Sequence, residues 1–402
     1  MIMGRKTKLL LIPCSGDETS ELAGDIYKIL KNDYSLNDNV ELLLSSNRSE
    51  IPQGTRKDHQ HGLVADYFDG MEAQTDVGRN ELKDVIRGKH IAIVEHLFTP
   101  SRTASVNDHI MAVRGMLDLV SKTETEKRTL IAPYFTYVRS HSIEKYEAQG
   151  FYQFDSLKLT LQDYKRDGLD AIITIDPHSN KAEQMAKAMQ MDFYSINPFQ
   201  SGRTIYQAKL GLKGQKAAKI TKELRPFQEL FAKLKLEHSD HLYGVSLDDG
   251  TERRSENFIE RAHPELEPHD VYKLLAYLEK FRKSYDETII RFKRFSEIND
   301  SNIDKDGVYV GIDDMWASGG TGDGVAKKFK KKKAKRFELW VSHAVTTEQQ
   351  VEKANGRENI DLVRCLDTVP VANGLNVEVI KASSHFLAAE LYKSHQRLIT
   401  SG

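Results

Sequence analysis

Short runs of apolar residues alternate along this chain with stretches in which apolar positions recur every three or four residues. The runs predict β-strands at Lys8–Pro13, His90–Leu97, Arg128–Phe135, Ala171–Asp176, His241–Leu247, Val308–Asp313 and Phe337–Val345. Several are apolar on successive residues, the pattern of strands covered on both faces in a parallel sheet. Helical spacing predicts helices over Asp108–Lys122 and Asp155–Arg166. The alternation points to an α/β protein. Its strands fall into two sets on either side of about Lys165, which predicts two similar domains, residues 1–165 and 166–402, each a mainly parallel sheet flanked by helices. Three polar or charged stretches read as insertions: Lys31–His61, Gln207–Ser239 and His263–Arg282. Lys327–Arg336 is a basic run that reads as a solvated helix end before a strand, with anion binding as the sharper alternative.

A length of 402 residues is comfortable for two such domains. With 58 basic and 59 acidic side chains the formal charge is −1, so no global field draws the protein to nucleic acid or to an anionic membrane. The two cysteines, Cys14 and Cys365, form no disulfide framework or metal spacing and fit a reducing compartment. The apolar run Leu9–Pro13 is too short for a signal-peptide core, and no stretch approaches the roughly 20 apolar residues of a membrane span. A cytoplasmic enzyme or binding protein is the expectation.

The segment Val308–Thr321, VYVGIDDMWASGGT, carries the clearest chemistry. An apolar strand ends in two adjacent carboxylates, Asp313 and Asp314. A turn of small residues follows, Ala317, Ser318, Gly319 and Gly320, then Thr321 and a helical stretch. Small residues let backbone amides approach an anion, and a helix N-terminus behind them favours a phosphate. Ser318 and Thr321 add hydroxyl donors. Paired carboxylates at a strand's end suit the vicinal hydroxyls of a ribose, directly or through Mg²⁺. A polar strand end before a glycine-rich turn also occurs without function; it accounts for the glycines but poorly for the paired Asp.

This stretch resembles the ribose-5-phosphate loop of the ribose-phosphate pyrophosphokinase family, within the phosphoribosyltransferase fold. Tyr67–Glu72 (YFDGME) resembles the family's adenine-contacting loop, and Val106–Leu119 its Asn-Asp helix. Ala132–Arg139 (APYFTYVR) resembles its Pro-Tyr-Phe segment, Ile172–Ser179 (IITIDPHS) its metal segment, and Val245–Arg254 (VSLDDGTERR) its Ser-Pro-Asp segment. Ser342–Val345 and Leu366–Pro370 are similar to later familial pieces, all in the family's order. The resemblance implies two phosphoribosyltransferase-like domains, the first on the ATP side and the second on the ribose-phosphate side. It implies transfer of a diphosphoryl group from MgATP to the anomeric hydroxyl of ribose 5-phosphate, leaving AMP. It assigns Mg²⁺ to His178 and Asp248, and ATP to Tyr67, Phe68, Asp69, Glu72, Arg139 and His141. It assigns the catalytic basic residues to Lys293 and Arg294, after the strand Glu287–Phe292, and counts His178 as catalytic too. Because the adenine loop serves a neighbouring subunit in the family, a homo-oligomer is implied.

Departures from the family bear on the substrate. Ala317 stands where the family has an acid, Ser140 and His141 follow Arg139 where it has Gln-Asp, and Met71 displaces its Glu to Glu72. Phe295 stands where an Arg is expected. A smaller, less acidic turn admits a larger 5-substituent, so a diphosphokinase acting on ADP-ribose is the alternative. A phosphoribosyltransferase and a non-catalytic regulatory subunit are the readings from other classes. The retained Asp176, His178, Asp248, Lys293 and Arg294 speak against the regulatory one.

Overall fold

The structure is a computed structural model that describes residues 7–14, 16–43, 63–67, 73–77, 85–101, 104–139, 147, 150, 154–199, 241–263, 266–282 and 288–401. The chain divides into two compact units: Met1–Ile196 with Thr368–Pro370 and Ser383–Gly402, and Asn197–Asp367 with Val371–Ala382.

The first unit holds strands β1 (Leu9–Pro13), β2 (Val40–Leu42), β5 (His90–Val94), β6 (Lys127–Ile131), β7 (Ala171–Ile175) and β8 (Asp192–Ile196). They form one wholly parallel sheet in the order β2-β1-β5-β6-β7-β8. Every residue of β1, β5 and β7 is buried, as their unbroken apolar runs require. The order runs one way from β1 to β2 and the other way from β5 to β8. Right-handed crossovers therefore put helix α1 (Asp17–Asn32) on one face and α2 (Val106–Ser121), α3 (Ser156–Arg166) and α4 (Lys181–Ala188) on the other. The last helix of the chain, Ser383–Ser401, returns to this unit and packs on α1. A separate antiparallel hairpin joins β3 (Leu63–Tyr67) to β4 (Ala73–Val77).

The second unit holds β9 (Leu242–Ser246), β10 (Leu275–Arg282), β11 (Thr288–Phe292), β12 (Val308–Met315), β13 (Arg336–His343), β14 (Leu362–Leu366) and β15 (Glu378–Ile380). Their order is β11-β10-β9-β12-β13-β14-β15, parallel throughout except for β11. Helix α5 (Glu252–Ala262) joins β9 to β10, and α6 (Gly320–Lys331) joins β12 to β13. Phe329 of α6 packs among Tyr309, Phe292 and Phe337. On the other face Phe258 of α5 meets Trp340 edge-on, ring centres 5.4 Å apart.

All seven strands expected from the apolar runs are present, and two mainly parallel sheets flanked by helices are observed. Two local readings change. Ala171–Ile175, assigned beyond a division near residue 165, pairs in register with β6 (Thr129↔Ala171), so it belongs to the first sheet. A strand buried at all five positions needs neighbours on both sides, which β6 and β8 provide. His263–Arg282, whose charge makes it read as a helix-prone insertion, instead supplies β10. Leu275 to Leu278 are buried; Leu275 to Tyr277 pair with β9, and from Leu278 onward, through the charged half, β10 pairs with β11 alone. Within the basic run, residues 327–331 end α6, Lys332 to Lys335 cross a turn and Arg336 opens β13, the solvated helix end expected. Gln207–Ser239, and Lys31–His61 beyond Leu43, lie outside the described residues.

Candidate functional site

In the second sheet the chain progresses one way from β9 to β10 and the other way from β12 to β15, so the order reverses between β9 and β12. An open α/β sheet forms its crevice at the carboxyl ends of the strands flanking such a reversal. Ser246 of β9 lies in register with Ile312 of β12, which puts Asp248 and the Asp313–Asp314 pair at that edge. The motif strand and the Ser-Leu-Asp-Asp-Gly segment, 65 residues apart in sequence by their aspartates (313 minus 248), thus meet.

The carboxylates are close enough to perturb one another. The Asp313 carboxyl is held well above the usual carboxylate range by burial, then by Asp314 beside it and by Asp248 across the edge. Asp314 is buried, and its backbone N–H donates to Asp313 Oδ1 at 2.9 Å. Asp248 is locked by a local cap. Its carboxylate accepts from the Gly250 N–H at 3.1 Å, and Thr251 Oγ1 accepts from the N–H groups of Leu247 and Asp248 at 2.7 and 3.1 Å.

The small-residue turn is shaped by three side chains. Trp316 is buried, and its ring lies against Gly319, where an added Cβ would stand 2.2 Å from Cη2. Gly319 has φ of +67°, a left-handed conformation that glycine adopts without penalty. Thr346 Oγ1 lies 2.9 Å from the Ala317 carbonyl and 3.2 Å from that of Trp316. Arg357 Nε donates to the Ser318 carbonyl at 2.8 Å. Gly320 then begins α6, and both Gly320 and Thr321 are exposed, so amides at the start of the helix face a solvent-accessible rim.

Two lysines stand at this edge. Lys280, on the part of β10 beyond the sheet, donates to Asp248 Oδ2 at 3.3 Å. Lys293 follows β11, with its N–H on the Tyr277 carbonyl at 2.9 Å, and its ammonium bridges Asp249 and Glu252, each at 2.5 Å. Arg294 and Phe295 are exposed. Sequence reasoning selected Lys293 and Arg294 but missed Lys280, Thr346 and Arg357. The alternation Leu275-Ala276-Tyr277-Leu278 was the available signal for Lys280; nothing in sequence linked Thr346 and Arg357 to a turn some thirty to forty residues earlier.

In the first unit, His178 and Asp176 follow β7, and the Pro-Tyr-Phe segment follows β6, its parallel neighbour. Asp176 is buried, and its N–H donates to the Ile196 carbonyl at 2.8 Å; the His178 N–H donates to Asp176 O at 2.8 Å. Asp176, His178 and Tyr137 have φ of 42°, 47° and 60°. Left-handed non-glycine residues cost on the order of 1–3 kcal/mol each and cluster where geometry serves function. Tyr137 is fixed by its hydroxyl on Asn107 Oδ1 at 2.5 Å, and Arg139 beyond it is exposed. Tyr67 ends β3 and pairs with Ala73 of the antiparallel β4. Phe68, Asp69, Glu72 and His141 lie outside the described residues.

His178 is in the first unit and Asp248 in the second. Among the described residues, no group of three or more His, Cys, Asp or Glu side chains is gathered as a metal cage. Mg²⁺ seldom uses one: it takes one or two carboxylates, waters and substrate phosphates. The crowded Asp313 carboxyl, in the field of Asp314 and Asp248, suits a cation that relieves this repulsion. No helix among the described residues is long and apolar enough to cross a membrane. Both cysteines are free and buried.

Residues 65–149 match the N-terminal domain of ribose phosphate pyrophosphokinase. A ribose-phosphate pyrophosphokinase of Mesorhizobium japonicum is 27% identical over 103 residues, 26% of this chain, and the match spans 30% of that enzyme's length. Phosphoribosylpyrophosphate synthetase from Mycobacterium smegmatis superposes with a TM-score of 0.64 at 16% identity, covering 98% of this chain and 100% of its own. That likeness reports the fold: two phosphoribosyltransferase-like domains in sequence. The chain is thus similar to ribose-phosphate pyrophosphokinases in its N-terminal segment, residues 65–149, and in the fold of both its units.

Proposed function

We propose that the protein transfers a diphosphoryl group from MgATP to the anomeric hydroxyl of ribose 5-phosphate, releasing AMP and phosphoribosyl diphosphate. The observation that carries this reading is the second unit's sheet edge, where Asp248, Asp313 and Asp314 stand together before a turn opening on a helix N-terminus. Asp313 and Asp314 hold the ribose hydroxyls. The amides of Ser318 to Thr321 hold the 5-phosphate, which leaves the anomeric hydroxyl free to attack the β-phosphorus of ATP as AMP departs. Lys280, with Lys293 and Arg294 on the same hairpin, supplies positive charge for the transferring diphosphoryl group. Asp248 in the second unit, and His178 in the first, are the residues that would offer ligands to Mg²⁺, which would supply neutralisation of phosphate charge. Arg139 and His141 hold ATP phosphates, and the loop containing Tyr67, Phe68, Asp69 and Glu72 takes adenine, contributed by a neighbouring subunit of a homo-oligomer. A cytoplasmic setting fits the two buried free thiols.

The exposed rim at Gly320 and Thr321, with Ala317 in the turn, favours a second reading in which the 5-phosphate is substituted, as in ADP-ribose. One incubation with MgATP and either sugar, following AMP, decides. AMP with ribose 5-phosphate supports the first reading, AMP with ADP-ribose alone the second, and AMP with neither leaves a regulatory subunit.

A further inference from the structure

Arg357 lies on the loop after the short helix Val351–Asn355, outside every segment that carries the family resemblance. Its Nε is spent on the Ser318 carbonyl at 2.8 Å, which fixes the plane of the guanidinium. Nη1 stands 4.0 Å from Asp323 in the first turn of α6. Nη2 reaches the first residue of that helix, 3.6 Å from where a Cβ on Gly320 would sit. The side chain is 22% exposed, so its charge is only partly screened and solvent reaches part of it. A guanidinium presents donors in a rigid fork suited to phosphate oxygens. At the same turn the indole N–H of Trp316 is buried and has no hydrogen-bond partner among the described residues. The turn thus holds an unused donor and a partly exposed cation, at a helix end that already favours an anion.

Resting on the ribose-phosphate reading of this loop, we propose that Arg357 is a direct ligand of the substrate phosphate and sets the loop's preference for phosphorylated sugars. Gly320 belongs to this arrangement because a side chain there would start in contact with Nη2, at 3.6 Å.

Binding can be read without catalysis, because Trp316 forms the floor of the turn. In titrations of Trp fluorescence without ATP, Arg357→Ala is expected to weaken ribose 5-phosphate binding roughly ten- to a hundredfold, the worth of a charge-assisted contact. Unphosphorylated ribose should bind both proteins alike. Arg357→Lys, which keeps the charge but loses the fork and the Ser318 bond, should recover part of the loss. Equal affinity of Arg357→Ala and the parent protein for ribose 5-phosphate overturns the assignment. So does an equal loss for ribose and ribose 5-phosphate, which would make Arg357 a brace for Ser318 only. If Arg357→Ala does not fold, Arg357→Gln decides by the same ratio. Failure to release AMP alongside Arg357-dependent phosphate binding would sink the reaction proposed above and leave this assignment standing.

Discussion

Acid should loosen the first unit through one buried pair of histidines. His90, at the start of β5, and His395, on the C-terminal helix, face each other with their Nδ1 atoms 3.2 Å apart and their rings stacked. The other nitrogen of His90 meets Thr129 Oγ1 at 2.8 Å, and both residues are fully buried. One Nδ1 must donate and the other accept, an arrangement two neutral rings satisfy and two charged rings do not. Burial, then the neighbouring His395 and Lys127, holds His90 well below its ordinary value, and burial lowers His395 from 6.5 to about 4. As pH falls below 6.5 the unfolded chain takes up a proton that folded His395 refuses until about pH 4. The unfolded state therefore binds more protons across that window, so stability is full above it and falls as pH falls through it. At about 1.4 kcal/mol per pKa unit, His395 alone accounts for roughly 3 kcal/mol over the whole window and about 2–3 kcal/mol by pH 4.5. Both tryptophans, Trp316 and Trp340, are in the second unit, so their fluorescence does not report this loss. Native-state hydrogen exchange, resolved to peptides of β5 and the C-terminal helix and corrected for intrinsic rates, does. The parent protein should lose protection between pH 6.5 and 4.5 with a steeper slope than His395→Asn. Equal slopes would mean that burial of this pair does not govern the unit's acid response.

Three further outcomes test the second unit. Asp313→Asn should raise the thermal midpoint while removing AMP release: its carboxyl is crowded by burial and by Asp314, and an acid with a raised folded pKa costs stability as pH rises above its unfolded value. A midpoint that falls would contradict this account. Gly319→Ala must place its Cβ 2.2 Å from the Trp316 ring at φ of +67°, so it should lose on the order of 1–2 kcal/mol to the backbone alone. Trp emission should shift and sugar-phosphate affinity should drop, and an unchanged spectrum would show that the turn is not packed on Trp316. Lys280→Ala should lower kcat about a hundredfold or more, as loss of a charge-stabilising donor does, with the fold preserved by circular dichroism. If Arg294→Ala, at an exposed position, is the more damaging, the cation that matters is Arg294 and not the lysine on Asp248.

The chain by itself determined the strands whose runs are apolar at successive positions, because burial on both faces leaves a signature independent of their neighbours. Val308–Asp313 and Ala171–Asp176 are examples, and both ended at carboxylates or a histidine that read as chemistry before any fold was known. It also determined the class of the turn after Asp314, since small residues and a glycine with positive φ leave few alternatives. The weaker strands were not legible. β10 carries charge on half its length because that half leaves the sheet and pairs only with β11, so its core half was masked by its exposed half. Sheet order was decided by tertiary structure alone: only pairing shows that β7 joins the first sheet, or that the order reverses between β9 and β12 and brings Asp248 to Asp313. The same holds for Lys280, Thr346 and Arg357, which reach the site from other elements. A residue's own pattern records whether it is buried, while the identity of what it is buried against depends on how distant segments of the chain pack.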